Sequence, residues 1–248
     1  MEPIYMLWLR EVKRYTRSRP QILASLGQPL LYLLALGFGL GAVYQKANGG
    51  SYLQFISPGI IGMAVLFSSV FSGIALLWDR QFGFLKETLV APVPRLEIMI
   101  GRTLGSATTS MIQGLLVSVV CLIAGFRPIS LTAIPVALFF LLLIAVLFAA
   151  LGTTIGSVIP DMQAFPIVMN FLVLPIFFLS GALFPLDTSP KALKIISAFD
   201  PLSYGVDGMR YALIGHSHFG PLIDVIVLCC VAIVLLCIGA WRFSKIEI

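Results

Sequence analysis

The 248-residue sequence predicts an all-α integral membrane protein with six transmembrane helices in a single domain, 1–248. Two observations predict the fold class. Hydrophobic residues make up 59% of the chain and charged residues only 11%, against about 45–50% and 25% in a soluble domain. The charges also fall in clumps that leave six uncharged stretches: 20–45, 47–78, 103–126, 128–160, 162–186 and 225–241. Five exceed the roughly 20 residues needed to cross hydrocarbon, and the last, at 17, crosses if its ends snorkel. A third observation orients the chain. Eleven of the 16 basic residues lie on the segments that share a side with the termini and five on the opposite side, which predicts cytoplasmic termini. The net charge of +5 then reads as a topology signal and a hold on anionic lipid headgroups, with no nucleic acid partner.

Residues 1–20 contain an amphipathic helix for the cytoplasmic interface, with Ile4, Leu7, Trp8, Val12 and Tyr15 on one stripe and Arg10, Lys13, Arg14 and Arg17 largely elsewhere. Pro20 separates it from span one, 22–43. Span two, 55–77, opens on Ser57-Pro58-Gly59, so its outer end is expected to bend or partly unwind. The cytoplasmic segment 79–102 holds a short helix that ends at Pro92-Val93-Pro94. Phe84, Leu85 and Leu89 give that helix an apolar face, too short to span and too apolar for water. It needs a partner: its own membrane helices, the headgroups or another protein.

Span three covers 105–125 and span four 132–158, joined by an outer turn at Arg127-Pro128. An inner turn at Pro160-Asp161, with Asp161 as a cap, leads to span five, 163–182. There Pro166 and Pro175 are each expected to free a carbonyl and kink the helix. Within 183–219, Ser189-Pro190 and Asp200-Pro201 each read as an N-cap followed by a first-turn proline, which predicts two short amphipathic helices. They either lie at the outer interface or enter it as a re-entrant hairpin, and Asp207 and Arg210 are placed to pair at i,i+3. Span six, 221–241, ends on the anchor Trp241-Arg242.

No catalytic residue is expected. The chain has no GxxxxGK[ST] loop, and Gly215-His216-Ser217-His218-Phe219 misses the nucleophile elbow at its last position. His216 and His218 are two ligands without a nearby Cys or carboxylate in sequence, so no metal site is expected either. Cys121, Cys229, Cys230 and Cys237 all lie in apolar spans and read as buried, inert thiols. Pairs of small residues at Gly37/Gly41, Gly101/Gly105 and Gly152/Gly156 allow close helix packing within the chain or between copies. Asp224 is the exceptional acid of the spans, which leaves an ion-coupled secondary transporter or a channel as the alternative from another class.

Three stretches carry a family resemblance. They are Tyr52 to Ile61, with Phe55-Ile56-Ser57-Pro58-Gly59; Lys86 to Arg95; and Phe177 to Gly215, with Ser180-Gly181 before Phe184-Pro185 and Pro201 before Tyr204 and Arg210. In order and spacing they resemble the permease subunits of ABC-2 type exporters, which include daunorubicin-resistance-type drug exporters and nodulation and polysaccharide exporters. The resemblance implies a subunit that exports an amphipathic drug, a lipid or a similar molecule, or alternatively a lipid-linked oligosaccharide or polysaccharide. It implies a bacterial cytoplasmic (inner) membrane. Two permeases, this one with a second copy or a homologue, would join two cytoplasmic P-loop ATPase subunits. ATP and Mg would bind those partners, leaving no cofactor in this chain.

In that reading the short helix becomes a coupling helix: Phe84, Leu85 and Leu89 form its knob, Lys86, Glu87 and Arg95 its charged contacts, and Pro92 and Pro94 stiffen it. Arg10 and Arg14, on the N-terminal helix, make the second contact. Phe67, Phe71, Phe171 and Phe177 are the substrate-pathway candidates, with lipid packing an equal explanation of each. Pro185, Pro201, Tyr204 and Arg210 are implied as an extracytoplasmic gate.

Overall fold

The structure, a computed structural model, describes residues 2–39, 41, 44, 51–82, 93–159 and 161–244. Among these no strand occurs, and six helices are long and apolar enough to cross a membrane. We label the helices α1 (Glu2–Arg17), α2 (Arg19–Phe38), α3 (Tyr52–Gln81), α4 (Arg95–Ile123), α5 (Ile134–Val158), α6 (Met162–Leu179), α7 (Lys191–Phe199), α8 (Pro201–Ile214) and α9 (Pro221–Ser244). Those six are α2, α3, α4, α5, α6 and α9.

Helix α3 is the centre of the bundle, packed on α4 and α5, while α9 covers the other side of α5. The crossing of α3 and α5 is a backbone contact. A Cβ on Gly73 would lie 2.2 Å from the Gly152 carbonyl oxygen, and one on Gly156 would lie 2.6 Å from that of Gly73. Without side chains there, dispersion and packing between the two helices act at their shortest range. Two of the small-residue pairs thus serve packing inside the chain: Gly152/Gly156 here, and Gly101/Gly105 beneath α1.

Several helices depart from the sequence expectation. Helix α3 runs unbroken through Ser57-Pro58-Gly59. The Ser57 hydroxyl donates to the Leu53 carbonyl at 2.6 Å, and the bare Cα of Gly59 lies against Ala182, so neighbours fill the space that a bend would have opened. Helix α4 begins at Arg95, ten residues before the expected start of span three, because packing against α1 continues it past the apolar region. Pro166 sits in the first turn after Ala164, where a missing N–H costs nothing, so it makes no kink. The break in α6 is instead a wide i→i+5 turn at Met169–Val173 that leads into Pro175. A second wide turn, Leu33–Phe38, ends α2 beyond Pro29. The thiols also differ from expectation: Cys121 is buried, but Cys230 and Cys237 are exposed. An apolar run in a membrane helix has a lipid-facing side, so apolarity does not imply burial within the protein.

Candidate functional site: a charged junction, a cavity and a helical hairpin

The first site is at the end of the bundle that carries both termini. Helix α1 packs lengthwise on α4, with Ile4 and Leu7 over Gly101 and with Trp8 and Glu11 over Gly105. The Trp8 indole donates to Thr108 at 2.9 Å. Asp79, near the end of α3, accepts from Arg10 of α1 at 3.0 Å and from Arg102 of α4 with its other oxygen. Asp79 and Arg102 are each 5% exposed. One carboxylate therefore joins three helices, and Arg14 pairs with Glu11 at 2.5 Å beside it. Of the residues expected to form the coupling helix, Phe84, Leu85, Lys86, Glu87, Leu89 and Pro92 lie outside the described residues. Pro94 and Arg95 are described, and they open α4.

Above this junction a cavity of about 850 Å³ lies between α1, α2, α3 and α4. Phe67 and Phe71 line it. Phe177, fully buried, packs edge-on against both Tyr32 and Phe67, at 5.8 and 6.2 Å between ring centres. Phe171 is 81% exposed and belongs to the outer surface of α6. Three of the four expected pathway rings are brought together and one is not.

At the far end, α7 and α8 form a hairpin that turns at Asp200-Pro201, where Asp200 is buried and the neighbouring Phe199 is exposed. Eleven of the 14 residues of α8 are buried. Gly205 and Gly208 let it lie along Ile144 and Phe140 of α5, and its end at Gly215, in the left-handed conformation, meets Ile129. Asp200 caps α8 by accepting from the Leu202 N–H at 2.9 Å, as expected. Burial pushes its carboxyl up to about 7. Ser189 makes no cap: its hydroxyl donates back to the Pro185 carbonyl, which closes the turn before α7.

The expected Asp207–Arg210 pair does not form. Asp207 accepts from the N–H groups of His218 and Phe219 and from the Ser217 hydroxyl, all between 2.8 and 2.9 Å. Arg210 donates to the carbonyls of Gly181 and Ala182, both at 2.9 Å, and lies 3.8 Å over the Phe55 ring. Loops presenting unpaired backbone groups satisfy these two charges better than one short helical pair would. Burial brings the Arg210 guanidinium down to about 10. The Tyr204 hydroxyl donates to the Ala198 carbonyl at 2.7 Å and its ring packs on Phe219, while Pro201 opens α8 and Pro185 stands beside Arg210 at the rim. The two histidines do meet a carboxylate, which their sequence neighbourhood hid. Asp187, from the turn before α7, accepts from His218 at 2.5 Å and lies 3.5 Å from His216. Among the described residues, no group of three such side chains is arranged to hold a metal ion.

The chain matches a family model over residues 2–214, that of the ABC-2 type transporter. It belongs to that family. Nodulation protein J of Rhizobium leguminosarum bv. trifolii is 31% identical over 224 residues, 88% of this chain and 82% of the relative. The inner membrane transport permease YadH of Escherichia coli K12 is 29% identical over 236 residues, 93% and 91% of the two chains. Nodulation protein J of the viciae biovar is 28% identical, over 90% and 86%. The family match covers this ABC-2 protein from α1 through the hairpin.

Asp79, Arg102 and Gln113 of this ABC-2 chain do not stand out in the sequence as parts of a site. The charges of the first two count there only as topology. Gln113 carries a usable signal: it is a long amide in the middle of an apolar span.

Proposed function

We propose that this ABC-2 protein is the membrane subunit of an ATP-binding cassette exporter. With its termini in the cytoplasm, it moves an amphipathic molecule out of the cell using ATP hydrolysed by a separate P-loop subunit. The observation that carries the reading is the family match over residues 2–214 in a chain with no phosphate-binding loop of its own. The charged junction supports a route for the force. Residues 83–92 connect α3 to α4, and Asp79 and Arg102 tie those two helices together beside that connection, with Arg10 adding α1. An ATPase subunit that grips residues 84–89 and closes on ATP moves these three helices together. Differential contact in the closed and open ATPase shifts the permease between inward- and outward-facing states. The α7–α8 hairpin, its α8 arm buried and held by Arg210, closes the extracytoplasmic exit.

The test is reconstitution with a P-loop ATPase subunit that co-purifies with it. ATP-dependent export of an amphiphile is expected, and Leu89→Asp and Glu87→Ala are expected to lose the ATPase or uncouple it. Transport by the permease alone, driven by a proton gradient, would overturn the reading.

One observation favours the ion-coupled alternative. Asp224 in α9 is fully buried and neither of its carboxylate oxygens has a hydrogen-bond partner among the described residues. Under that alternative, Asp224→Asn abolishes transport and ATP has no effect.

A further inference from the structure

The cavity beside the charged junction has two unlike walls. From α3, the aromatic residues Phe67, Phe71 and Trp78 line it. From α2 come Gln21, Ser25 and Gln28, spaced i, i+4 and i+7 so that one face of a membrane-crossing helix carries all three polar groups. Polar side chains are costly inside a bilayer and are kept where they meet a cavity or a ligand. The volume of about 850 Å³ falls within the range of small-molecule sites, roughly 300–1,000 Å³.

Gln113 of α4 is on the same wall, 1% exposed. Its carbonyl oxygen accepts from the Tyr15 hydroxyl at 2.6 Å and the Ser25 hydroxyl at 2.9 Å, which fixes the amide. Its amide nitrogen has no partner among the described residues. A buried donor left unpaired is costly, so it marks a place where an acceptor belongs. The charges at the cavity are already neutralised. Arg10 pairs with Asp79 and Arg14 with Glu11, which leaves no unpaired charge among the described lining residues to select an ion.

We propose that this cavity binds a neutral amphiphile: a headgroup bearing hydroxyl or amide groups accepts from Gln113 and meets the Gln21–Ser25–Gln28 face, and its apolar chain lies on Phe67 and Phe71. The proposal rests on the exporter reading, for which it supplies the substrate class and the place of loading. The same chemistry comes from two sources, an exported molecule and a resident neutral glycolipid of the membrane.

The test uses the full chain with its ATPase, extracted in a lipid-retaining polymer without detergent. Three radiolabelled probes share a dodecyl chain: a neutral maltoside, a phosphate and a trimethylammonium. Saturable binding of the maltoside alone is expected, weakened about tenfold or more by Gln113→Leu and several-fold by Gln28→Leu. Gln28 is exposed at the wall, so its variant reads the site even if Gln113→Leu fails to fold. Equal binding of the charged probes, or maltoside binding that is indifferent to both variants, overturns the proposal. If bound maltoside is depleted during ATP turnover, the site serves an exported molecule; if it persists at one per chain, it holds a resident lipid. ATP-driven flux of another amphiphile that Gln113→Leu leaves unchanged refutes the site while the exporter reading stands. Absence of both flux and binding removes both.

Discussion

Asp79 of α3 and Arg102 of α4 form a buried ion pair at the end of the bundle that carries the termini, and the second oxygen of Asp79 accepts from Arg10 of α1. With both groups 5% exposed, neither charge has water to fall back on. Removing one partner of such a pair leaves an uncompensated buried charge, at a cost of about 3–5 kcal/mol. Asp79→Asn is therefore expected to lower the unfolding temperature sharply, while Arg10→Gln, whose side chain is 41% exposed, has a small effect. Thermal unfolding of both variants in the same lipid mixture checks this. Equal effects would show that Arg102 does not depend on Asp79.

Gly73 and Gly152 leave no room between α3 and α5. Gly73→Val forces the backbones apart at the centre of the bundle, and overpacking of this kind costs about 1–3 kcal/mol or more. Gly27 is the control, because a Cβ added there would meet nothing within 4 Å. Gly27→Ala is expected to be neutral, and expression with thermal stability of the two variants reads the difference.

Asp200 makes stability depend on pH. Its carboxyl is raised from 3.8 to about 7 by burial, so between those values the folded chain keeps a proton that the unfolded chain releases. The resulting stabilisation is full below about 4 and is lost as pH rises through about 7. Asp200→Asn keeps an oxygen to cap α8 and has no proton to lose. Subtracting its pH profile of unfolding temperature from that of the native chain is expected to leave a fall between pH 4 and 7; coincident profiles contradict the assignment.

Arg210 serves two backbone carbonyls and the Phe55 ring from one planar guanidinium. A lysine ammonium is a point charge without that fork, so Arg210→Lys is not conservative here. Each hydrogen bond to a charged group is worth about 1.5–3 kcal/mol. Arg210→Lys is expected to loosen the 181–182 turn, read as faster amide exchange there, and to destabilise more than Lys194→Ala on exposed α7.

Much of the scaffold was legible from the charges. Six uncharged stretches gave six spans because a charge in hydrocarbon is expensive wherever the chain folds. Asp200-Pro201 gave the start of α8 because a cap is a local interaction. The outer pairings were not legible. Asp207 and Arg210, three residues apart, turn to different loops, and His216 and His218 meet Asp187 from a distant turn. Likewise the apolar stripe of α1 gave an amphipathic helix but not its bed on Gly101 and Gly105.

By itself the sequence determined that this is a six-span helical membrane protein, where its charges gather, and the resemblance to ABC-2 permeases that the family match bears out. Hydropathy and caps are properties of a segment and survive reading one segment at a time. Only the tertiary structure decided that Asp79 binds three helices into one unit, that α8 is buried within the bundle, and that Gln113 meets Tyr15 and Ser25 at a cavity wall. Each of these depends on which buried polar group finds which partner, and that is set by residues 23 to 155 positions away in the chain.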